Sequence, residues 1–177
     1  MKIAQAKKIV KGLKAGDQMA FKTLYENYKQ PLYRTAVAIC NDPDEAEDIL
    51  QDTFVKIFYK IDALRNPAVL EGWMYRIVIN AAKSAVKSSN RKWDEIDDGS
   101  LVTHPEKESQ WGQLTSALQR LSLGYRNVFI LVAIQELPQE NVANILGVSV
   151  GTVKSQYHRA RKKLQKILKE MDVHYEK

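Results

Sequence analysis

Apolar residues recur every three or four positions along most of this 177-residue chain, which is the spacing of one buried face of an α-helix. No long stretch alternates between apolar and polar residues, as a half-buried strand would. The pattern predicts an all-α protein. Its first element is a short helical extension, residues 1–15, which carries Ile3, Val10 and Leu13 on one face and ends near Gly16.

A long apolar face follows, from Phe21 to Val37, with Asp17 as its N-cap. Pro31 falls inside this stretch. Because proline has no amide hydrogen and its ring clashes with the preceding turn, the sequence predicts a kink or a break in the helix at that point.

The third helical pattern has a well-defined start. Asp42 can cap it, Pro43 suits the first helical position, and the acidic residues that follow complement the helix dipole. After a turn region at 62–69, a fourth helix is predicted over about 70–90. Together with the leading helix these elements are enough for one small bundle, and the first domain is predicted to span residues 16–92.

The composition changes after this domain. Residues 93–108 contain six acidic side chains against one lysine and show little helical periodicity, which indicates an acidic linker between two small helical domains. Helical spacing resumes in the second domain, predicted over residues 109–177. Its pattern begins with Trp111, Leu114, Leu118 and Leu121 and continues with helices over 123–136, 138–146 and 150–171.

The spacing of a helix-turn-helix begins at Gln139. Counting that residue as position one, the fifth is Ala143, which is small enough to let two helices approach. The ninth is Gly147, which can adopt the positive φ of the turn, and the fifteenth is Val153, which packs the second helix against the first. Ser149 can cap the second helix. An ordinary helical hairpin closed by glycine would show the same spacing, so the motif alone leaves both interpretations open.

The helix after this turn is strongly basic. Between Val150 and Lys169 it has seven lysine or arginine residues and no acidic residue, whereas a solvated helix face usually mixes both signs. DNA binding is therefore the favoured interpretation. Residues near the helix start could reach base edges, and those further along could reach the DNA backbone. The first group is Thr152, Lys154, Ser155 and His158, and the second is Arg159, Arg161 and Lys162.

Two segments of the first domain carry further candidate chemistry. The fourth helix combines aromatic surface with positive charge, in Trp73, Tyr75, Arg76, Asn80, Lys83 and Lys87. This suits unpaired bases and a nucleic-acid backbone, although a core tryptophan followed by a solvated basic tail would look the same. The carboxylates of DEAEDILQDTF, residues 44–54, have no histidine nearby and no metal-ligand spacing. No catalytic centre, metal site or cofactor is predicted.

Charge and composition narrow the function classes. The net charge of +6 and the pI of about 9.3 favour anionic partners. The longest apolar run, 128–134, has seven residues, against the roughly 20 of a membrane span. The single cysteine, Cys40, excludes a disulfide framework and is expected to be a core thiol. The lysine-rich N-terminus does not resemble a signal peptide, so the chain is predicted to be cytoplasmic, without membrane insertion.

Three blocks of the sequence occur in the same order as in a known family. They are DEAEDILQDTFVKIF, WMYRIVINAAKS and GVSVGTVKSQYHRARKKL, and the likeness extends over roughly residues 17–171. With them the chain resembles the bacterial RNA polymerase sigma factors, in particular the small extracytoplasmic-function group. The resemblance implies a region 2 domain at about 16–92 and a region 4 domain at 109–177. It also implies a protein that directs polymerase to −35 and −10 promoter elements and assists DNA melting.

Carried over to this chain, the family's blocks assign residues to three surfaces. A surface that docks on the coiled coil of the polymerase's largest subunit would contain Asp44, Glu47, Asp48, Gln51, Asp52 and Phe54. The −10 reader, a loop at 63–70 that holds a flipped base and the helix after it, would use Arg65, Asn66, Trp73, Arg76, Asn80, Lys83 and Lys87. The −35 reader would use Thr152, Lys154, Ser155, His158, Arg159, Arg161 and Lys162.

The same resemblance implies partners. They are core RNA polymerase, including the flap of its second-largest subunit, promoter DNA, and an anti-sigma factor, often anchored in the membrane, that masks the polymerase-binding surfaces. The chain departs from the family where Val132-Ala133 replace an Arg-Glu pair and where Ser84 replaces an aspartate. These differences bear on promoter preference and not on the class of protein.

Two other functions compete with this interpretation. A stand-alone operator-binding regulator would also contain a helix-turn-helix and would bind a palindrome as a dimer without polymerase. The aromatic and basic helix at 70–90 argues against it, since a sensor domain does not need one. An enzyme that uses the carboxylates between Asp44 and Asp52 would lose turnover on substitution of Asp48 or Asp52.

Overall fold

The computed structural model describes residues 3–93 and 109–175, and these form helices and turns without a strand. The all-α prediction is confirmed. In this part of the chain the α-helices are α1 (Ile3–Lys14), α2 (Gln18–Cys40), α3 (Pro43–Lys60), α4 (Leu70–Trp93), α5 (Gln110–Gln119), α6 (Leu123–Phe129), α7 (Gln139–Leu146) and α8 (Val150–Tyr175). Two short 3-10 turns, Ile61–Ala63 and Pro67–Val69, lie between α3 and α4. Nearly all of the predicted acidic linker, residues 94–108, lies outside the described residues.

Local sequence explains where the N-terminal helices begin. The carboxylate of Asp17 accepts a hydrogen bond at 2.8 Å from the amide two residues further on, at the start of α2. At the start of α3, Asp42 accepts from the amides of Asp44 and Glu45 at 3.0 and 3.1 Å. Both N-caps are as predicted, because a short acceptor side chain satisfies amides that helix geometry leaves unpaired.

Helix α2 continues through Pro31, so the prediction that the helix could break at this residue is wrong. Its neighbours Tyr28 and Leu32 are both buried in the core. The carbonyl oxygen of Pro31 accepts hydrogen bonds from Thr35 Oγ1 at 2.9 Å and from Gln135 Nε2 at 3.1 Å. Burial of the apolar neighbours and the two side-chain donors offset the one backbone bond that proline removes.

The helix predicted over 123–136 contains a π-helical turn that the sequence did not indicate. α6 ends at Phe129, and the Gln135 amide then donates to Ile130 O at 2.9 Å, which is the i+5 spacing of a π-helix. Glu136 follows in a left-handed conformation with φ 53°. Apolar periodicity could not reveal this turn, because the apolar run around it is nearly continuous.

The two lobes pack directly against each other. Helices α1 to α4 form the N-terminal lobe and α5 to α8 the C-terminal lobe, and one buried apolar cluster extends through both. α5 and α6 contact α2, and α7 contacts α4. The sequence predicted two lobes joined by a linker but contained no signal that they touch. The limits given above for the two domains stay a prediction.

A buried arginine fixes the contact at the end of α2. Arg126 is 7% exposed, and its Nη1 donates to Ile39 O at 2.8 Å. The same guanidinium donates to three carbonyl oxygens of its own lobe at 2.8 to 3.2 Å. Beside it, Gln119 Nε2 donates to Ala38 O at 3.2 Å. Since carbonyls at helix C-termini are unpaired and partly negative, they can satisfy a buried cation without a carboxylate.

Candidate nucleic-acid and protein interfaces

The helix-turn-helix predicted from spacing is formed by α7 and α8. Gly147 adopts φ 69° and ψ 37°, and its amide donates to Ala143 O, so α7 ends in a left-handed turn. Ser149 Oγ accepts from the Thr152 amide at 3.0 Å at the start of α8. Val153 is fully buried. Glycine is favoured at this turn because the left-handed conformation costs it less than it costs most other residues.

The predicted −35 residues lie on one half of α8. At 3.6 residues per turn, this half is opposite to the side on which Val153, Ala160 and Leu164 are buried. Thr152 is half-buried, and its hydroxyl lies 2.8 Å from Ser149 Oγ. The other six are exposed, namely Lys154, Ser155, His158, Arg159, Arg161 and Lys162. α8 therefore presents cations to solvent, with no acidic residue between 150 and 169.

The loop predicted to hold a flipped base, residues 63–70, overlaps the segment from Ile61 to Val69 that contains both 3-10 turns, which we call the 61–69 loop. Ile61 and Leu64 are buried and anchor it, whereas Arg65 and Asn66 are exposed. Asn66 Oδ1 accepts from the Ala68 amide at 3.0 Å, which caps the second turn. Arg65 and Asn66 are thus presented on a backbone that is fixed from both ends.

The first residues of α4 that were predicted to read the −10 element, Trp73 and Arg76, face the C-terminal lobe. Arg76 Nε donates to Ile145 O at 3.2 Å, and Arg76 Nη2 donates to Asn144 O, both at the end of α7. Trp73 is half-buried, and with Arg76 it lines a cavity of about 330 Å³ between α4 and α7. α7 therefore covers part of the predicted −10 surface.

The other residues predicted for the −10 reader lie further along α4. Asn80 and Lys87 are exposed, and Lys83 is half-buried. Asn80 and Lys83 line a cavity of about 260 Å³ that reaches the turn between α7 and α8. Tyr75, which the sequence marked as aromatic surface, is instead buried, and its hydroxyl donates to Gln135 Oε1 at 3.0 Å across the lobe contact. Burial raises the pKa of this phenol, so it remains a donor at neutral pH.

The acidic face predicted to dock on polymerase lies on α3. Its exposed members are Asp44, Glu47, Asp48, Gln51 and Asp52. Phe54, the sixth predicted member, lies beneath this face: it is 4% exposed, and its ring centroid is 4.8 Å from that of Tyr25. Phe54 belongs to the core spacing of α3, so it supports the helix from within, and part of its surface lines a groove between α2 and α3.

Sequence reasoning missed an aromatic patch at the other end of α3. Val55, Phe58 and Tyr59 are 51%, 50% and 77% exposed. With Phe21 and Tyr25 of α2 they line a groove of about 810 Å³. Exposed aromatic surface of this kind is typical of protein interfaces. The segment VKIFY carried the signal, because it has more apolar positions than one buried helix face needs.

A metal centre, a membrane span or a reactive thiol would each indicate a further kind of function. Within residues 3–93 and 109–175, no cluster of three His, Cys, Asp or Glu side chains could hold a metal ion. None of the helices described there is long and apolar enough to cross a membrane. The half-buried Cys40 thiol donates to Asp42 O at 3.3 Å, and burial raises its pKa to about 11, which disfavours a reactive thiolate.

Comparison with known proteins identifies relatives of both lobes. Two family models match, Sigma-70 region 2 over residues 24–92 and Sigma-70 region 4 over residues 111–164. The ECF RNA polymerase sigma factor SigW of Bacillus subtilis is 29% identical over 93% of this chain and 97% of its own length. The sigma factor RpoE of Bartonella quintana, solved in complex with the anti-sigma factor NepR, is 30% identical, with a TM-score of 0.73 over 84% of this chain and 96% of that one. The structure of CnrH in complex with the cytosolic domain of CnrY shares the fold, with a TM-score of 0.76 and 24% identity over 94% of this chain and 98% of that one.

Proposed function

The chain belongs to the sigma-70 family of RNA polymerase sigma factors, in its extracytoplasmic-function group. We propose that separate surfaces of this protein bind core polymerase, the −35 element and the −10 element. The protein is a transcription initiation factor and not an enzyme. This membership confirms the sigma-factor interpretation over the operator-binding regulator and over the carboxylate enzyme.

α3 is the proposed docking element for the coiled coil of the polymerase's largest subunit. One observation carries this assignment: a single helix exposes acidic residues along its first half and Val55, Phe58 and Tyr59 near its end. The acidic half would steer a basic partner, and the aromatic patch would add buried apolar area once the two have met. The flap of the second-largest subunit is the proposed partner of the C-terminal lobe.

The basic faces are the proposed promoter readers. α8, with its exposed cations, would enter the major groove of the −35 element. The 61–69 loop, with Arg65 and Asn66, and α4, with Trp73 and Asn80, would hold an unpaired base of the −10 element. Extruding a base from the duplex costs a few kcal/mol, which stacking and pocket contacts must offset.

Promoter binding requires the lobes to separate. The −35 and −10 elements lie about 25 base pairs apart, or roughly 85 Å of duplex at about 3.4 Å per pair. Lobes in direct contact cannot reach both elements at once. The 15 residues at 94–108 span at most about 50 Å when fully extended, which, added to the width of the lobes, permits the separation. We therefore assign the packed arrangement to the protein before it has engaged a promoter.

Control by an anti-sigma factor is part of the proposal. The relative from Bartonella quintana was solved bound to such an inhibitor. An inhibitor that covers the aromatic patch of α3 would exclude polymerase from this chain as well. Because its partners are polymerase and promoter DNA, we place the protein in the cytoplasm.

The first experiment combines purified protein with bacterial core polymerase on fragmented genomic DNA and maps transcript starts. We expect starts that share a −35/−10 pair and are absent without the protein. Charge reversal in Asp48→Lys should weaken binding to core polymerase at least tenfold, whereas Glu26→Lys on α2 serves as a control with the same charge change. Equal binding by both variants would contradict the α3 assignment. No new starts, together with binding of a palindrome by the protein alone, would contradict the function.

A further inference from the structure

α1 lies outside the matched region 2 model, which begins at residue 24, yet it is an integral part of the N-terminal lobe. Its inner face, formed by Ala6, Ile9, Val10 and Leu13, is buried. The helix contacts α2 and both 3-10 turns of the 61–69 loop. α1 is therefore packed behind the loop that presents Arg65 and Asn66.

Two glycines fix where α1 ends. A Cβ atom on Gly12 would lie 2.6 Å from the Cβ of Ala20, so glycine alone allows α1 and α2 to approach this closely. Gly16 adopts φ 71°, and the Asp17 amide donates back to Gly12 O at 2.9 Å. The last residue of α1, Lys14, is thereby held in one place relative to α2.

Lys14 links this helix to the loop through two hydrogen bonds. Its Nζ donates to Asp62 O at 3.2 Å and to Leu64 O at 3.0 Å. Leu64 is buried and directly precedes Arg65 and Asn66. One ammonium group therefore restrains the main chain at the point from which the two exposed side chains project.

We propose that Lys14 is a positioning residue for −10 recognition, because its bonds to the carbonyls of Asp62 and Leu64 set the backbone on which Arg65 and Asn66 meet the DNA. The proposal rests on the assignment of the 61–69 loop to the −10 element. A recognition site must be held to within about 0.5 Å for its contacts to discriminate. Since the Lys14 side chain lies at the surface, losing its bonds affects the loop more than the global fold.

The test uses Lys14→Met, which keeps the apolar stem and removes the donors, with Lys11→Met as a matched control on the exposed surface of α1. In reconstituted holoenzyme, initiation is measured on a promoter, on its single-base −10 variants and on its single-base −35 variants. The discrimination ratio is the initiation rate on the intact promoter divided by the rate on a variant. We expect Lys14→Met to lower the −10 ratio about three- to tenfold, the effect of one or two ordinary hydrogen bonds. The −35 ratio should not change, and Lys14→Arg should restore most of the −10 ratio.

Two results would overturn the role of Lys14: an unchanged −10 ratio in Lys14→Met, or an equal loss in Lys11→Met. If the wild-type holoenzyme shows no −10 preference, the assignment of the loop itself fails. Amide hydrogen exchange on the free full-length variants provides a second readout. The exchange rate of residues 61–66 is divided by that of α8, which corrects for any overall loss of stability. This relative rate should rise in Lys14→Met. An unchanged relative rate would contradict the restraint.

Discussion

The two surfaces assigned to DNA have similar chemistry but differ in how accessible they are. On α8, Lys154 and Arg159 are exposed to solvent. On α4, Arg76 donates to two carbonyls at the end of α7, and Tyr75 is buried with its hydroxyl bonded to Gln135. Charge pattern therefore identifies a nucleic-acid surface, whereas packing decides whether DNA can reach it. The proposed −35 reader is open in this arrangement, and the proposed −10 reader is partly covered.

Removing the buried anchor of the lobe contact should have the largest effect. Arg126→Met leaves the carbonyl of Ile39 and those of the C-terminal lobe without their donor, so the free energy of unfolding should fall by about 3 kcal/mol. Arg120→Met is the matched control, because Arg120 forms a half-exposed ion pair with Glu170 at 2.7 Å. It should lose less than about 1 kcal/mol. Urea denaturation measures both, and equal losses would contradict a structural role for Arg126.

Substitutions on the open face should weaken promoter use without any change in the lobe contact. Lys154→Ala and Arg159→Ala are each expected to lower −35-dependent binding by about 1–3 kcal/mol and to reduce its salt dependence. Lys22→Ala on α2 is the control for the loss of one exposed charge. Holoenzyme binding to promoters with intact and scrambled −35 elements gives the measurement. The assignment fails if the variants and the wild type lose equally on scrambling.

Weakening the contact between the lobes should make the proposed −10 surface of α4 more accessible to DNA. Gln135→Ala removes the bonds to Tyr75 and to Pro31 O and touches no assigned DNA residue. The free protein should then bind a single-stranded −10 oligonucleotide about three- to tenfold more tightly, because a smaller fraction of the molecules has its lobes packed together. Fluorescence anisotropy measures this affinity, with Gln165→Ala on the exposed side of α8 as the control. No gain in affinity would show that the contact does not mask the −10 surface.

The smallest expected effect is the contribution of Cys40, at the end of α2, to the pH dependence of the free energy of unfolding. Burial raises the pKa of Cys40 from about 9 to about 11, so the folded protein holds the thiol proton more tightly than the unfolded chain does. The corresponding stability is fully present below pH 9 and is lost as the pH rises through 11, by about 1 kcal/mol after allowance for partial exposure. Denaturation of the wild type and of Cys40→Ala at pH 8 and pH 11 tests this. A stability difference that is the same at both pH values would contradict it.

Features that depend on neighbouring residues were predictable from the sequence. The caps at Asp17 and Asp42 and the turn at Gly147 each involve groups within a few positions, so residue type alone specifies them. The acid-free basic run of α8 is likewise a local property. For these reasons the all-α class, the helix-turn-helix and the basic face of α8 followed from the chain directly, and the three ordered blocks identified the family.

Features that depend on distant residues were decided by the tertiary structure. Arg76 and its acceptor Ile145 are 69 positions apart, and Lys14 and Leu64 are 50 positions apart. Each such bond is weak, and it forms only because apolar packing has already placed its partners together. The same packing left Tyr59 exposed and stabilised α2 as a continuous helix through Pro31. Local pattern thus specified the acidic and basic surfaces of this protein, and the contact between its lobes decided which of the basic surfaces is open.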